Sequence, residues 1–132
     1  MRLAVLCAVM LLSVCQSTLA KQADCIDNAT TQMAMNDCAD AKRKAADDKL
    51  NATYRALLSK ISKDGAEKLR TAQRAWITWR NAQCEFDTMG TRDGSINTTV
   101  YLMCVEDLIR AQTKHLDAQL HCKEGDLSCG NQ

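Results

Sequence analysis

Proline is absent from all 132 residues, and glycine occurs only five times. A chain without proline carries no obligatory helix breaker, and one poor in glycine offers few sites for left-handed backbone. Between Lys21 and Met89 the only glycine is Gly65. Net charge is nearly absent too, with 17 basic side chains against 16 acidic ones. Once Arg2 is set aside the two signs balance, so no global field draws the chain to nucleic acid or an anionic membrane. Long apolar runs are missing as well. The longest, Leu3 to Val14, is broken by Ser13 and falls short of the roughly 20 residues that span a bilayer. The chain also lacks a nucleophile elbow, a helical metal-ligand motif and a phosphate loop. Its scattered acids do not make an acid–base pair without a pocket to hold them. These absences argue for a non-enzyme that needs no cofactor and no metal.

What is present begins with export. Met1 and Arg2 give a short positive start, Leu3 to Val14 an apolar stretch, and Ser17 to Ala20 a set of small residues. That order predicts a secretory signal peptide over residues 1–20, cleaved after Ala20. Lipidation at Cys15 is the competing outcome, but bulky Val14 stands where a lipoprotein signal wants a small residue. Six cysteines remain after cleavage: Cys25, Cys38, Cys84, Cys104, Cys122 and Cys129. An even number behind an export signal implies disulfides and a periplasmic or secreted location, with fifteen connectivities open.

The rest is written in good helix formers, chiefly alanine, lysine, leucine and glutamine. Apolar residues recur at steps of three and four, without strand-type alternation. The predicted fold is all-α, a small bundle of three helices stapled by disulfides. It comprises a long first helix followed by an antiparallel hairpin, over residues 21–122, with an irregular tail at 123–132. The first helix is predicted from Thr31 to Ile61, with Asn28, Thr30 and Thr31 as capping oxygens. Its stripe is Ala46, Leu50, Tyr54, Leu57 and Ile61. Ser62 to Gly65 is read as its stop, the glycine taking a left-handed C-terminal position. The second helix is predicted from Ala66 to Thr88 with Leu69, Ala72, Trp76, Arg80 and Cys84 on one face. Met89 to Ser95 is a loop. The third helix is predicted from Ile96 to His121, with Tyr101, Cys104, Leu108, Ala111 and His115 on one face.

This layout suggests a pairing. Cys84 lies ten residues before Gly94 and Cys104 ten after it, so a hairpin turning there sets them opposite each other. Cys122 and Cys129 can close a short tail loop, which leaves Cys25 for Cys38. Arg80 falls in a row with Gln73, Trp76 and Cys84 and is expected partly inside. A buried guanidinium needs a carboxylate, and Asp47 is the predicted partner. Asp47, Asn51, Tyr54, Gln73, Trp76 and Arg80 are thus read as a structural polar network that pins two helices. A ligand site built from Asp47, Arg80 and Gln73 is the functional alternative. Trp76 and Trp79 need no ligand to explain them and are read as core and partial cover. His115, His121, Cys122 and Cys129 do not match paired zinc-ligand spacings, and disulfide formation competes for the thiols.

Two features remain for contact with a protein partner. One is the loop carrying Arg92 and Asp93 between two glycines. The other is the stretch from Gln22 to Ala41, which holds Asp24, Asp27, Asp37 and Asp40 and no basic residue. The bland reading of both is a connection and a solvated face. Three Asn-X-Thr triplets, at Asn28, Asn51 and Asn97, would accept glycans only in a eukaryotic secretory route.

Cys25, Cys38, Asp47, Leu50-Asn51, Tyr54, Leu69, Gln73, Trp76, Arg80, Cys84, Gly94-Ser95, Cys104 and Arg110, in that order, resemble the LprI-type lysozyme inhibitor family of small bacterial exported domains. The likeness runs from about Cys25 to Leu116. The family's loop often reads Gly-Gly-Ser where this chain has Asp93-Gly94-Ser95, and Cys122 and Cys129 lie outside the shared pattern. The resemblance implies an envelope protein with a protein partner, lysozyme being the one the family is named for. Arg92 would insert between the two cleft carboxylates of such an enzyme, or the four aspartates would meet its basic surface. A structural or assembly role with another protein partner is the competing function.

Overall fold

Thr31 starts the first helix, its side-chain oxygen accepting a hydrogen bond from the Ala34 N–H at 3.1 Å. In the computed structural model, which describes residues 25–123, 125–127 and 129, helix α1 then runs Gln32–Leu58, α2 Lys63–Asp87 and α3 Asn97–Leu120. A short 3₁₀ turn at Met89–Thr91 lies between α2 and α3. The leader-like segment, Cys15 and Asp24 lie outside the described residues, as does part of the tail. Among the described residues no helix is long and apolar enough to cross a membrane.

The turn between α1 and α2 departs from expectation. The sequence predicts Gly65 as a left-handed stop for α1, but it sits in the first turn of α2 and its φ is not positive. Ser62 is the reason. It is the α2 N-cap, its hydroxyl accepting from the Gly65 N–H at 3.1 Å, and Asp64 adds a carboxylate where the helix dipole favours one. The Ser-Lys-Asp-Gly run therefore begins a helix instead of ending one. α1 stops at Leu58, three residues short of Ile61.

The helices run up, down and up. Gln32 and Asn36 at the start of α1 hydrogen-bond Thr99 at the start of α3, and Lys60 beyond the end of α1 donates to the Leu120 carbonyl. α1 and α3 are therefore parallel, with α2 antiparallel to both. The core lies mostly between α1 and α3. Ala46, Leu50 and Leu57 meet Val105, Ile109 and Leu116, flanked by Tyr54, Ile61, Leu69 and Trp76.

All five α1 positions expected inside belong to this core, fully or in part. On α3 the expected stripe is only one of two. Tyr101, Cys104 and Leu108 are partly covered, whereas Ala111 and His115 are exposed. The deepest residues, Val105, Ile109 and Leu116, lie on a second face turned toward α1. A helix with neighbours on two sides is apolar over more than one stripe. α2 is the reverse case. Only Ala66 and Cys84 are fully buried along its 25 residues, and Ala72, expected inside, is exposed.

Three disulfides complete the fold, with Cα separations of 5.9 Å for Cys25–Cys38, 5.7 Å for Cys84–Cys104 and 5.8 Å for Cys122–Cys129. This is the pairing expected from the spacing. Replacing Ile109, fully buried on the α1–α3 seam, by alanine should lower unfolding free energy by about 2–5 kcal/mol in a urea titration. Leu127→Ala, on a side chain 98% exposed, should leave the midpoint unchanged.

Candidate functional site

The end of the bundle where α1 and α3 begin also receives the α2–α3 connection. That connection is knit by its own side chains. Thr88 Oγ1 donates to the Cys84 carbonyl at 2.7 Å, and Thr91 Oγ1 to the Thr88 carbonyl at 2.9 Å. Asn97 Nδ2 reaches Thr91 Oγ1 at 3.1 Å from the first turn of α3. The Gly94 N–H closes onto the Thr91 carbonyl at 2.8 Å, and a Cβ at Gly94 would stand only 3.3 Å from that oxygen. Glycine is what lets the chain turn so closely here.

Arg92 and Asp93 are exposed on this frame. Arg92 borders an open cleft of about 410 Å³, together with Phe86, Met89, Asn97 and Tyr101. Phe86 is 67% exposed and Met89 59%. Among the described residues the Arg92 guanidinium has no ion-pair partner, and Glu85 and Thr88 share the lining of the cleft with the exposed Phe86 and Met89.

The acidic segment arrives at the same end, because the Cys25–Cys38 bridge ties residues 25–28 to the start of α1. Asp27 and Asp37 are exposed there. Asp40 is different. Lys44 Nζ lies 2.6 Å from one of its oxygens and Arg43 Nη2 2.9 Å from the other. The Lys44 ammonium, followed by the Arg43 guanidinium, holds the Asp40 carboxyl below its ordinary range. Its charge is already answered within α1. Asp24 lies outside the described residues.

The polar network expected between α1 and α2 is only partly assembled. Arg80 is mostly buried and its Nη1 lies 4.0 Å from Asp47, but the nearer partner of Asp47 is Arg43, at 2.5 Å. Arg80 hydrogen-bonds Asn81 and places its Cζ 5.2 Å from the centre of the Trp76 ring. Gln73 is not part of this group. It accepts from Gln112 Nε2 of α3 at 3.0 Å. Asn51 and Tyr54 line a shallow groove with Gln73, Arg70, Arg74 and Ile77. Arg80 is held by a ring and an amide, and no enclosed site forms around it.

Other groups leave little or no signal in the sequence. Gln32, Asn36 and Thr99 form a half-buried hydrogen-bonded triangle, Thr99 Oγ1 donating to Asn36 Oδ1 at 2.6 Å. Glu106 is buried and paired to Arg110 at 2.6 Å. The i,i+4 spacing of Glu106 and Arg110 was a visible sign of that pair. Phe86 was readable as an apolar residue off the inner stripe of α2, whereas Met89 lies past its end in the 3₁₀ turn.

The family model for the lysozyme inhibitor LprI matches residues 25–116. This chain belongs to the LprI family. An uncharacterized protein of Rhizobium meliloti (strain 1021) is 35% identical over 109 residues, covering 73% of this chain and 78% of that one. No solved structure matches significantly. The match takes in all three helices except the last residues of α3, and it leaves out the Cys122–Cys129 loop.

The Asp40 cluster gives a titration that can be checked. A depressed carboxyl pKa stabilises the fold above the ordinary value of 3.8, and the contribution is lost as pH falls through the lowered one. The NMR titration of the Asp40 carboxyl carbon should have its midpoint below that of a free aspartate. Lys44→Gln should move the midpoint upward.

Proposed function

We propose that the protein is an exported protein-binding module that inhibits lysozyme by non-covalent insertion of Arg92. The family name supplies the class of partner, and the six paired cysteines and the leader-like residues 1–20 fit an oxidising location outside the cytoplasm. The observation that carries the reading is Arg92 itself. It is exposed, unpaired among the described residues, and borne on a loop whose turns are fixed by hydrogen bonds before any partner arrives. A preorganised loop loses less conformational freedom on binding.

Glycosidases of the lysozyme type work with two carboxylates across a cleft. An arginine fork offers several N–H donors to such a pair, and a charge-assisted bond of this kind is stronger than a neutral one. Phe86 and Met89 beside the loop would cover apolar surface at the cleft's edge. Asp27 and Asp37, at the same end, would face the basic exterior that animal-type lysozymes present. Asp40 serves this purpose poorly, since Lys44 and Arg43 already hold it. The chain acts here as a binder and not as an enzyme.

Lysis of bacterial cell walls by animal-type lysozyme should fall to near zero as the oxidised protein approaches equimolar ratio. Arg92→Ala should weaken that inhibition tenfold or more, about 1.4 kcal/mol or above. Arg74→Ala, on the exposed side of α2, should leave it unchanged. Full activity at large excess of the protein would reject this lysozyme type and direct attention to another envelope partner.

A further inference from the structure

Between α1 and α3 the small side chains of Ala45, Ala46 and Thr113 leave a cleft of about 430 Å³. Lys49 comes to it from α1, and Arg110, Lys114 and Asp117 come from α3. Among the described residues neither Lys49 nor Lys114 has an ion-pair partner. Positions three and four away from Lys49 hold Ala45, Ala46, Ala52 and Thr53, so its own helix offers it no carboxylate. Lys114 has Asp117 three residues on, but Asp117 Oδ1 lies 3.3 Å from His121 Nδ1. Arg110 stands one turn before Lys114, and two cations at that spacing repel. Buried Glu106 takes the Arg110 Nε and Nη2 donors, at 2.8 and 2.6 Å, and leaves Nη1 for another acceptor. Three cations thus converge on a space that folding leaves open. A local rule broken in this way is a mark of a functional site.

We infer that this cleft binds a phosphate monoester carried on a body of sugar or glycerol size. Such a group has close to two negative charges and three acceptor oxygens. That suits two ammonium groups and a guanidinium better than a carboxylate does, with its single charge and planar pair of oxygens. The bare ion would leave most of the cleft empty, whereas clefts of about 300–1,000 Å³ hold small organic ligands.

The balanced charge of the whole chain supplies no long-range pull, so recognition is local to the cleft. Arg110 lies about 20 Å along α3 from Asn97, well away from the Arg92 loop. The inference therefore does not rest on the lysozyme reading. A soluble sugar phosphate and the phosphomonoester headgroup of a lipid share the chemistry, and the two sources are separable.

In an amide NMR titration of the oxidised protein at constant ionic strength, glucose 6-phosphate should shift residues 45–49 and 110–117. The shifts should saturate, with half the effect at about 0.1–1 mM. Glucuronate, the same ring with a carboxylate, should bind at least tenfold more weakly, and equal affinity overturns the phosphoryl assignment. In a parallel arm the protein is sedimented with vesicles of phosphatidylcholine and phosphatidic acid in equal parts. Binding to these and not to pure phosphatidylcholine assigns the lipid headgroup; saturable sugar-phosphate binding without it assigns a soluble ligand. Absence of both overturns the inference. Lys49→Gln with Lys114→Gln should weaken whichever binding is seen at least tenfold, with the helical circular dichroism unchanged. Lys63→Gln with Arg74→Gln removes the same charge elsewhere and should leave it intact. Equal loss in the two double variants overturns the site.

Discussion

The bond between Cys84 and Cys104 does for α2 what apolar packing does for the other two helices. α1 and α3 share a continuous seam from Ala46 to Leu57 and from Val105 to Leu116. α2 fully submerges only Ala66 and Cys84, and the latter is itself one end of the bridge. Closing a 20-residue separation removes about 3 kcal/mol of freedom from the unfolded chain. Against the 5–15 kcal/mol typical of a whole domain that is a large share. It also fixes the register of α2 on α3, and with it the Gln73–Gln112 bond, the position of Trp76 in the core and the path of the chain through Arg92. The exposed outer flank of α2 is the other side of the same economy of packing.

The fold was legible because its main determinants are local. Periodicity found three helices, Thr31 announced the first, and spacing around Gly94 paired Cys84 with Cys104. What escaped the sequence was either competition between local signals or dependence on a third helix. At Ser62 to Gly65 a glycine suggested a stop while the serine and aspartate specified a start, and the cap won. On α3 one stripe was visible, but only the parallel placement of α1 made Val105, Ile109 and Leu116 the centre of the protein. Arg80 was expected to sit against Asp47 and does so loosely, because Arg43, on the same helix as Asp47, reaches that carboxylate first. Gln73 turned to Gln112, a partner that no reading of α1 and α2 alone contains.

Candidate contact residues followed the same division. Arg92, Asp93, Asp27 and Asp37 were readable one by one from exposure and charge. That they gather at one end is a property of topology, since parallel α1 and α3 bring the first helix's start beside the loop that precedes the third. Asp40 belonged to the acidic stretch by composition alone. Lys44 and Arg43, one helical turn further on, withdraw it from that set.

Among the described residues the three bridges join each cysteine to its neighbour in chain order: Cys25 with Cys38, Cys84 with Cys104, Cys122 with Cys129. Each loop is closed before the next pair of thiols is reached from the N-terminus. For a chain delivered N-terminus first into an oxidising space, the correct partner of Cys25, of Cys84 and of Cys122 would simply be the next of these six to emerge. Native connectivity then follows from the order of delivery. Among the six cysteines of the described residues, a chain threaded in that order would reach this connectivity without forming and undoing any of the fourteen other pairings.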